Sequence, residues 1–130
     1  PDLGMQPDDL IATSAAPTTR AYTSYLLATA YEGSHIDGLA AIVPCYWIYA
    51  RVGEHLIERG SPDPRYQRWI DTYAGEEYAA TVEEVLEFVD RSGLVLGELD
   101  EARARAHFAT TARYEWMFFD AAHRREGWPI

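Results

Sequence analysis

Only one cysteine, Cys45, occurs in this 130-residue chain, so no intramolecular disulfide can form. No apolar run approaches the roughly 18 residues that a bilayer-spanning helix needs. A glycine-rich phosphate loop, an internal repeat and a low-complexity tract are all missing as well. Basic residues are scarce: 11 Lys and Arg stand against 21 Asp and Glu, a formal charge of −10. Nucleic acid and anionic membrane surfaces both want a basic patch, so this balance argues against them as partners. No stretch resembling a signal peptide follows Met5, and with a solitary thiol the expected compartment is a reducing cytoplasm. The length suits one domain with a real core.

What is present is punctuated helix. Residues 1–17, with Pro1, Gly4, Pro7 and Pro17 among polar neighbours, read as a leader or linker, and residues 18–130 as one helical domain. Thr18 or Thr19 is expected to cap a helix ending at Gly33, with Tyr22, Tyr25, Leu26 and Ala30 on one stripe. Ser34 caps a longer helix to about Arg59, broken or bent at Pro44, whose face carries Ala41, Cys45, Ile48, Tyr49, Val52 and Leu56. A turn at Ser61-Pro62-Asp63-Pro64 leads to a short helix over about 65–74 and another over about 76–91. The last helix, about 98–124, carries Phe108, Ala112, Glu115, Phe118, Phe119 and Ala122 on one side. No alternating strand pattern competes, so the class is all-α with five helices.

Cys45 is the candidate nucleophile. Pro44 lacks an N–H, and a break there would set Cys45 in a first helical turn, where unpaired backbone N–H groups favour a thiolate. The competing reading is a small apolar core filler. Tyr49 lies one turn on from Cys45, and Tyr22, Tyr73 and Tyr78 also fall near inner stripes. A buried phenol needs a polar partner, so together with a thiol they suggest a polar, aromatic-walled cavity, or else ordinary core tyrosines bonded to carbonyls. Glu115 sits in Tyr114-Glu115-Trp116-Met117-Phe118-Phe119, two turns after Phe108, and is expected to point inward. Burial would disfavour its ionised form and let it give and take protons near neutral pH; the alternative is a solvated glutamate beside Arg113 or Arg124. Glu32 before His35 and Asp120 before His123 have the three-residue spacing used in di-iron bundles, but Gly33 and Ser34 split the first pair between two helices, and His55 and His107 have no such partner. No metal ligands are assigned.

Pro44-Cys45, Trp47 and Tyr49, then Trp69-Ile70-Asp71-Thr72-Tyr73, then Phe108 and Tyr114 through Asp120 occur in an order that resembles the TenA-type thiaminase II family, in its cysteine-containing branch. The resemblance runs from about Thr18 to His123. It implies an all-α, haem-oxygenase-like bundle, a homotetramer, no cofactor, and hydrolysis of thiamin or an aminomethylpyrimidine derived from it, in thiamin salvage. It puts Cys45 in the place of the nucleophile and Glu115 in that of the proton-transferring carboxylate. Tyr22 matches the tyrosine that supports the thiol, and Tyr49 and Tyr73 match tyrosines lining the pyrimidine pocket. The family's earlier helices, with an aspartate and a stacking aromatic, have no visible counterpart before Thr18, so the chain looks like the family's carboxyl-terminal three-fifths. Two rivals stay open: a non-catalytic pyrimidine-binding or regulatory module, and a related di-iron oxygenase using His35 and His123.

Overall fold

The computed structural model describes residues 4–129, which form six α-helices and, among the described residues, no strand. They are α1 (Pro7–Ala12), α2 (Pro17–Glu32), α3 (His35–Ile57), α4 (Pro64–Tyr73), α5 (Glu76–Gly93) and α6 (Glu98–Arg124). α3 is the hub, packing against α2, α4, α5 and α6, while α2 also touches α6 and α4 touches α5. The all-α class and the five longer helices agree with the sequence reading.

α1 lies inside the stretch expected to be a leader. Pro7 has the backbone angle a first helical residue needs, and Asp8 and Asp9 complement the positive end of the helix. α2 also starts differently from expectation. Neither Thr18 nor Thr19 is its cap; Ala16 is, with no side-chain bond of its own. The exposed donors are met from a distance, since the Glu126 carboxylate accepts from the Thr18 backbone N–H at 2.8 Å and from its hydroxyl at 3.1 Å.

α3 opens with a capping box. The Asp37 carboxylate accepts the Ser34 backbone N–H at 2.8 Å while the Asp37 N–H reaches back to the Ser34 hydroxyl. It is not broken at Pro44, which is fully buried within one continuous helix. Packing on several sides compensates the missing hydrogen bond. The deeply buried face of α3 is Ala40, Ala41, Val43, Ala50 and Gly53, rather than the whole stripe through Cys45 and Leu56. The small residues let neighbours approach: a Cβ on Gly53 would fall 2.6 Å from the Tyr73 carbonyl carbon. Thus α4 lies against α3 with Tyr73 at the contact. Ile36, Ala40 and Ala104 form a core cluster with Leu39, Leu96 and Phe108 packed on it.

Candidate active site

Glu115 is 2% exposed on the inner face of α6, as the spacing from Phe108 predicted. Burying a carboxylate is costly without a partner, and the partner is Tyr22 of α2, whose hydroxyl donates to Oε1 at 2.5 Å. Desolvation first, then the bond to Glu115 and its charge, raise the Tyr22 phenol far above its usual range, so it remains a donor at any ordinary pH. Tyr22 is itself 8% exposed. The reading of Tyr22 as a core tyrosine bonded to a backbone carbonyl is replaced by a phenol bonded to an acid.

Cys45 faces the same carboxylate from α3. Its thiol is pushed up from the ordinary value, first by partial burial and then by the charge of Glu115 and a hydrogen bond to it. This corrects the expectation of a thiolate favoured by a helix start. Because α3 continues through Pro44, the backbone N–H groups near Cys45 are engaged within the helix, and the nearest strong field is negative. The apolar-filler reading fails as well, since Cys45 is exposed. The surroundings of the thiol thus favour its protonated form, with the Glu115 carboxylate beside it.

Tyrosines wall the group. Tyr49 is pushed up to about 12 by burial and then by Glu115 and Cys45. Its ring meets Tyr73 at 4.9 Å, Phe119 at 5.5 Å and Trp69 at 5.8 Å between centroids. Tyr73 packs on Trp69 at 4.6 Å and receives Tyr78 edge-on at 4.9 Å. Tyr78 too is pushed up to about 12, by burial and then by Cys45, and its hydroxyl donates to the Tyr46 carbonyl at 3.1 Å. The structure thus gathers Tyr22, Cys45, Tyr49, Tyr73 and Glu115 from four helices. It adds Tyr78, Trp69 and Phe119, which sequence reasoning left without a role. The four-residue spacing of Trp69 and Tyr73 was the available signal, since it stacks both rings on one face of α4.

The histidines lie elsewhere. His35 meets the Phe88 ring at 6.1 Å, and His123 is exposed near the end of α6. Among the described residues no group of three or more His, Cys, Asp or Glu is gathered, so the di-iron alternative finds no ligand cluster there. A cavity of about 600 Å³ between α3, α5 and α6 is lined mainly by apolar residues such as Val43, Trp47 and Phe108, with Asp90, Glu101 and Arg105 also in its wall, and shares no lining residue with the Cys45–Glu115 group. No helix of the described residues is long and apolar enough to cross a membrane.

Comparison with known proteins adds a line independent of this geometry. The sequence model of the TENA/THI-4/PQQC family matches residues 1–125. An aminopyrimidine aminohydrolase of Bacillus subtilis is 36% identical over 117 residues, covering 90% of this chain and 50% of that protein. An aminopyrimidine aminohydrolase of Halalkalibacterium halodurans is 36% identical over 128 residues, 97% of this chain and 57% of the relative. The solved TenA homologue from P. horikoshii OT3 superposes with a TM-score of 0.84 at 31% identity, over 95% of this chain and 57% of the other. The chain spans about half the length of the curated relatives it matches.

Proposed function

This chain belongs to the TENA/THI-4/PQQC family and has its all-α, haem-oxygenase-like fold, and from that premise we propose that it hydrolyses a carbon–nitrogen bond of an aminopyrimidine. The substrate is an aminomethylpyrimidine from degraded thiamin, or thiamin itself, and the product is the hydroxymethylpyrimidine. The observation that carries the reading is the pairing of an exposed thiol with a buried carboxylate, Cys45 with Glu115, beside three tyrosines.

The raised thiol shapes the mechanism. Cys45 gives its proton to Glu115 as sulfur bonds to the electron-poor ring, and Glu115 passes that proton to a ring nitrogen. Charge that addition would leave on the ring is thereby neutralised. The nitrogen on the methylene carbon, protonated as an ammonium or quaternary as in thiamin, departs with the bonding electrons as neutral ammonia or thiazole. Water adds at that carbon and loses a proton to Glu115, which releases it to solvent. The ring proton returns to sulfur as the carbon–sulfur bond breaks, restoring the aromatic ring and the thiol. Tyr22 holds Glu115 in register through its donated hydrogen bond. Tyr49 and Tyr73 supply aromatic faces for the pyrimidine. The same reading has the protein working without a cofactor in thiamin salvage, in the cytoplasm, as a homotetramer.

Replacing Cys45 with Ala tests it. Conversion of aminomethylpyrimidine to hydroxymethylpyrimidine, followed by chromatography, is expected to fall by at least about a hundredfold, the scale of losing a covalent nucleophile. Undiminished conversion would remove Cys45 from the mechanism. A non-catalytic pyrimidine-binding module is the second reading, favoured by the surroundings of the thiol, whose partial burial and neighbouring Glu115 carboxylate push it up rather than toward a thiolate. Slow thiol alkylation at neutral pH fits both readings, so turnover by the unaltered protein is what separates them.

A further inference from the structure

Behind the Tyr22–Glu115 bond lies a second contact between the same two helices. One turn along α2 from Tyr22, the Tyr25 hydroxyl is 2.8 Å from Nδ1 of His107, two turns before Tyr114 on α6. With the ring proton on Nε2, the phenol donates to Nδ1 and Nε2 faces Asp37 Oδ1 at 4.0 Å. Between the two contacts sits the ring of Tyr114. It stacks on Tyr22 with centroids 5.3 Å apart and planes 10° from parallel, and also meets Tyr25, tilted by 48°, at 5.8 Å. Rotation of the Tyr22 ring is thus limited by Tyr114, whose place is fixed by Tyr25, whose hydroxyl is tied to His107. Asp37 is anchored in turn by the Arg103 guanidinium at 3.0 Å and by Ser34.

We propose that His107 is a positioning residue for the active carboxylate: by holding the Tyr25 hydroxyl it fixes the Tyr114–Tyr22 stack and hence the phenol that donates to Glu115. Its catalytic consequence rests on the function proposed above, whereas its geometric consequence does not. A donor misplaced by a fraction of an ångström weakens a short hydrogen bond steeply. It also loosens the group that must pass a proton to the ring.

Two readouts test this in the intact protein. Tyr22 and Glu115 are both shielded from solvent, so their shared proton exchanges slowly and gives a downfield proton resonance that Tyr22→Phe removes. Tyr25→Phe deletes one oxygen and keeps every ring, and His107→Leu deletes both ring nitrogens. Each is expected to move that resonance upfield and to lower kcat roughly fivefold with KM within about twofold. The double variant should do no more than either alone. His107→Asn, whose amide reaches the position of Nδ1, should restore both. An unmoved resonance in folded Tyr25→Phe overturns the proposal, whatever His107→Leu does to folding. A resonance that moves in a protein showing no turnover in any form sustains the positioning role and sinks the proposed activity instead.

Discussion

At Cys45 two influences act in the same direction, and both keep the thiol protonated. A mid-helix position offers no free backbone donors, while the Glu115 carboxylate lies alongside with Tyr22 as its hydrogen-bonding partner. Neutralising Glu115 removes the negative charge that helps to raise the thiol. Glu115→Gln is therefore expected to alkylate severalfold faster than wild type at pH 7, while turnover falls by two or more orders of magnitude. Iodoacetamide labelling across pH, read by mass spectrometry, checks the sign, and slower labelling of the variant would refute it. A glutamate in the middle of an aromatic and aliphatic run was the residue most legible in the sequence, because periodicity alone placed it inward. Tyr25 and His107 were not legible: a tyrosine and a histidine 82 residues apart carry no sign of their contact until α2 and α6 are docked.

At the level of elements, α3 bears two constraints that can be weighed. Gly53 sits mid-helix, where Ala would ordinarily gain about 1 kcal/mol of helix propensity. Its added Cβ would meet the α4 backbone at 2.6 Å, and overpacking against backbone costs about 1–3 kcal/mol or more. The clash wins. Gly53→Ala is expected to lose about 1–2 kcal/mol in urea unfolding and to raise KM by displacing Tyr73. At the other end, burial alone would raise Asp37, yet the Ser34 N–H and hydroxyl and the Arg103 guanidinium hold it below its ordinary 3.8. The folded form thus binds this proton less readily than the unfolded chain. The stability it contributes is present above pH 3.8 and is lost as pH falls through the lowered value. Asp37→Asn keeps the cap but not the charge, and should cost about 1–2 kcal/mol at pH 7. Its penalty should shrink toward zero in acid; an undiminished penalty at pH 2 would show that charge is not the cause. The Ser34 cap and the Gly33 stop were plain in the sequence, whereas the remote Glu126 partner of α2 and the continuity of α3 through Pro44 depend on tertiary neighbours that no local window contains.

Across the whole molecule, the helix count and class followed from spacing and punctuation, and the exception was α1, too short for a periodic signal. Periodicity also left the convergence of four helices on one thiol unexplained, since it assigns faces and not partners. That convergence has a consequence for the order in which the molecule assembles. The Tyr22–Glu115 contact closes a span of 93 residues, which costs about 4 kcal/mol of chain entropy before contacts repay it. α2 and α3 are adjacent in sequence and can pair early, so the acid is absent until α6 docks. During refolding, catalytic competence should lag behind far-ultraviolet helicity, and simultaneous recovery of both signals would contradict this. On the ribosome the thiol is synthesised 70 residues before the carboxylate that raises it, so the nascent chain carries the sulfur in its most readily ionised, most oxidation-prone state until α6 emerges and docks.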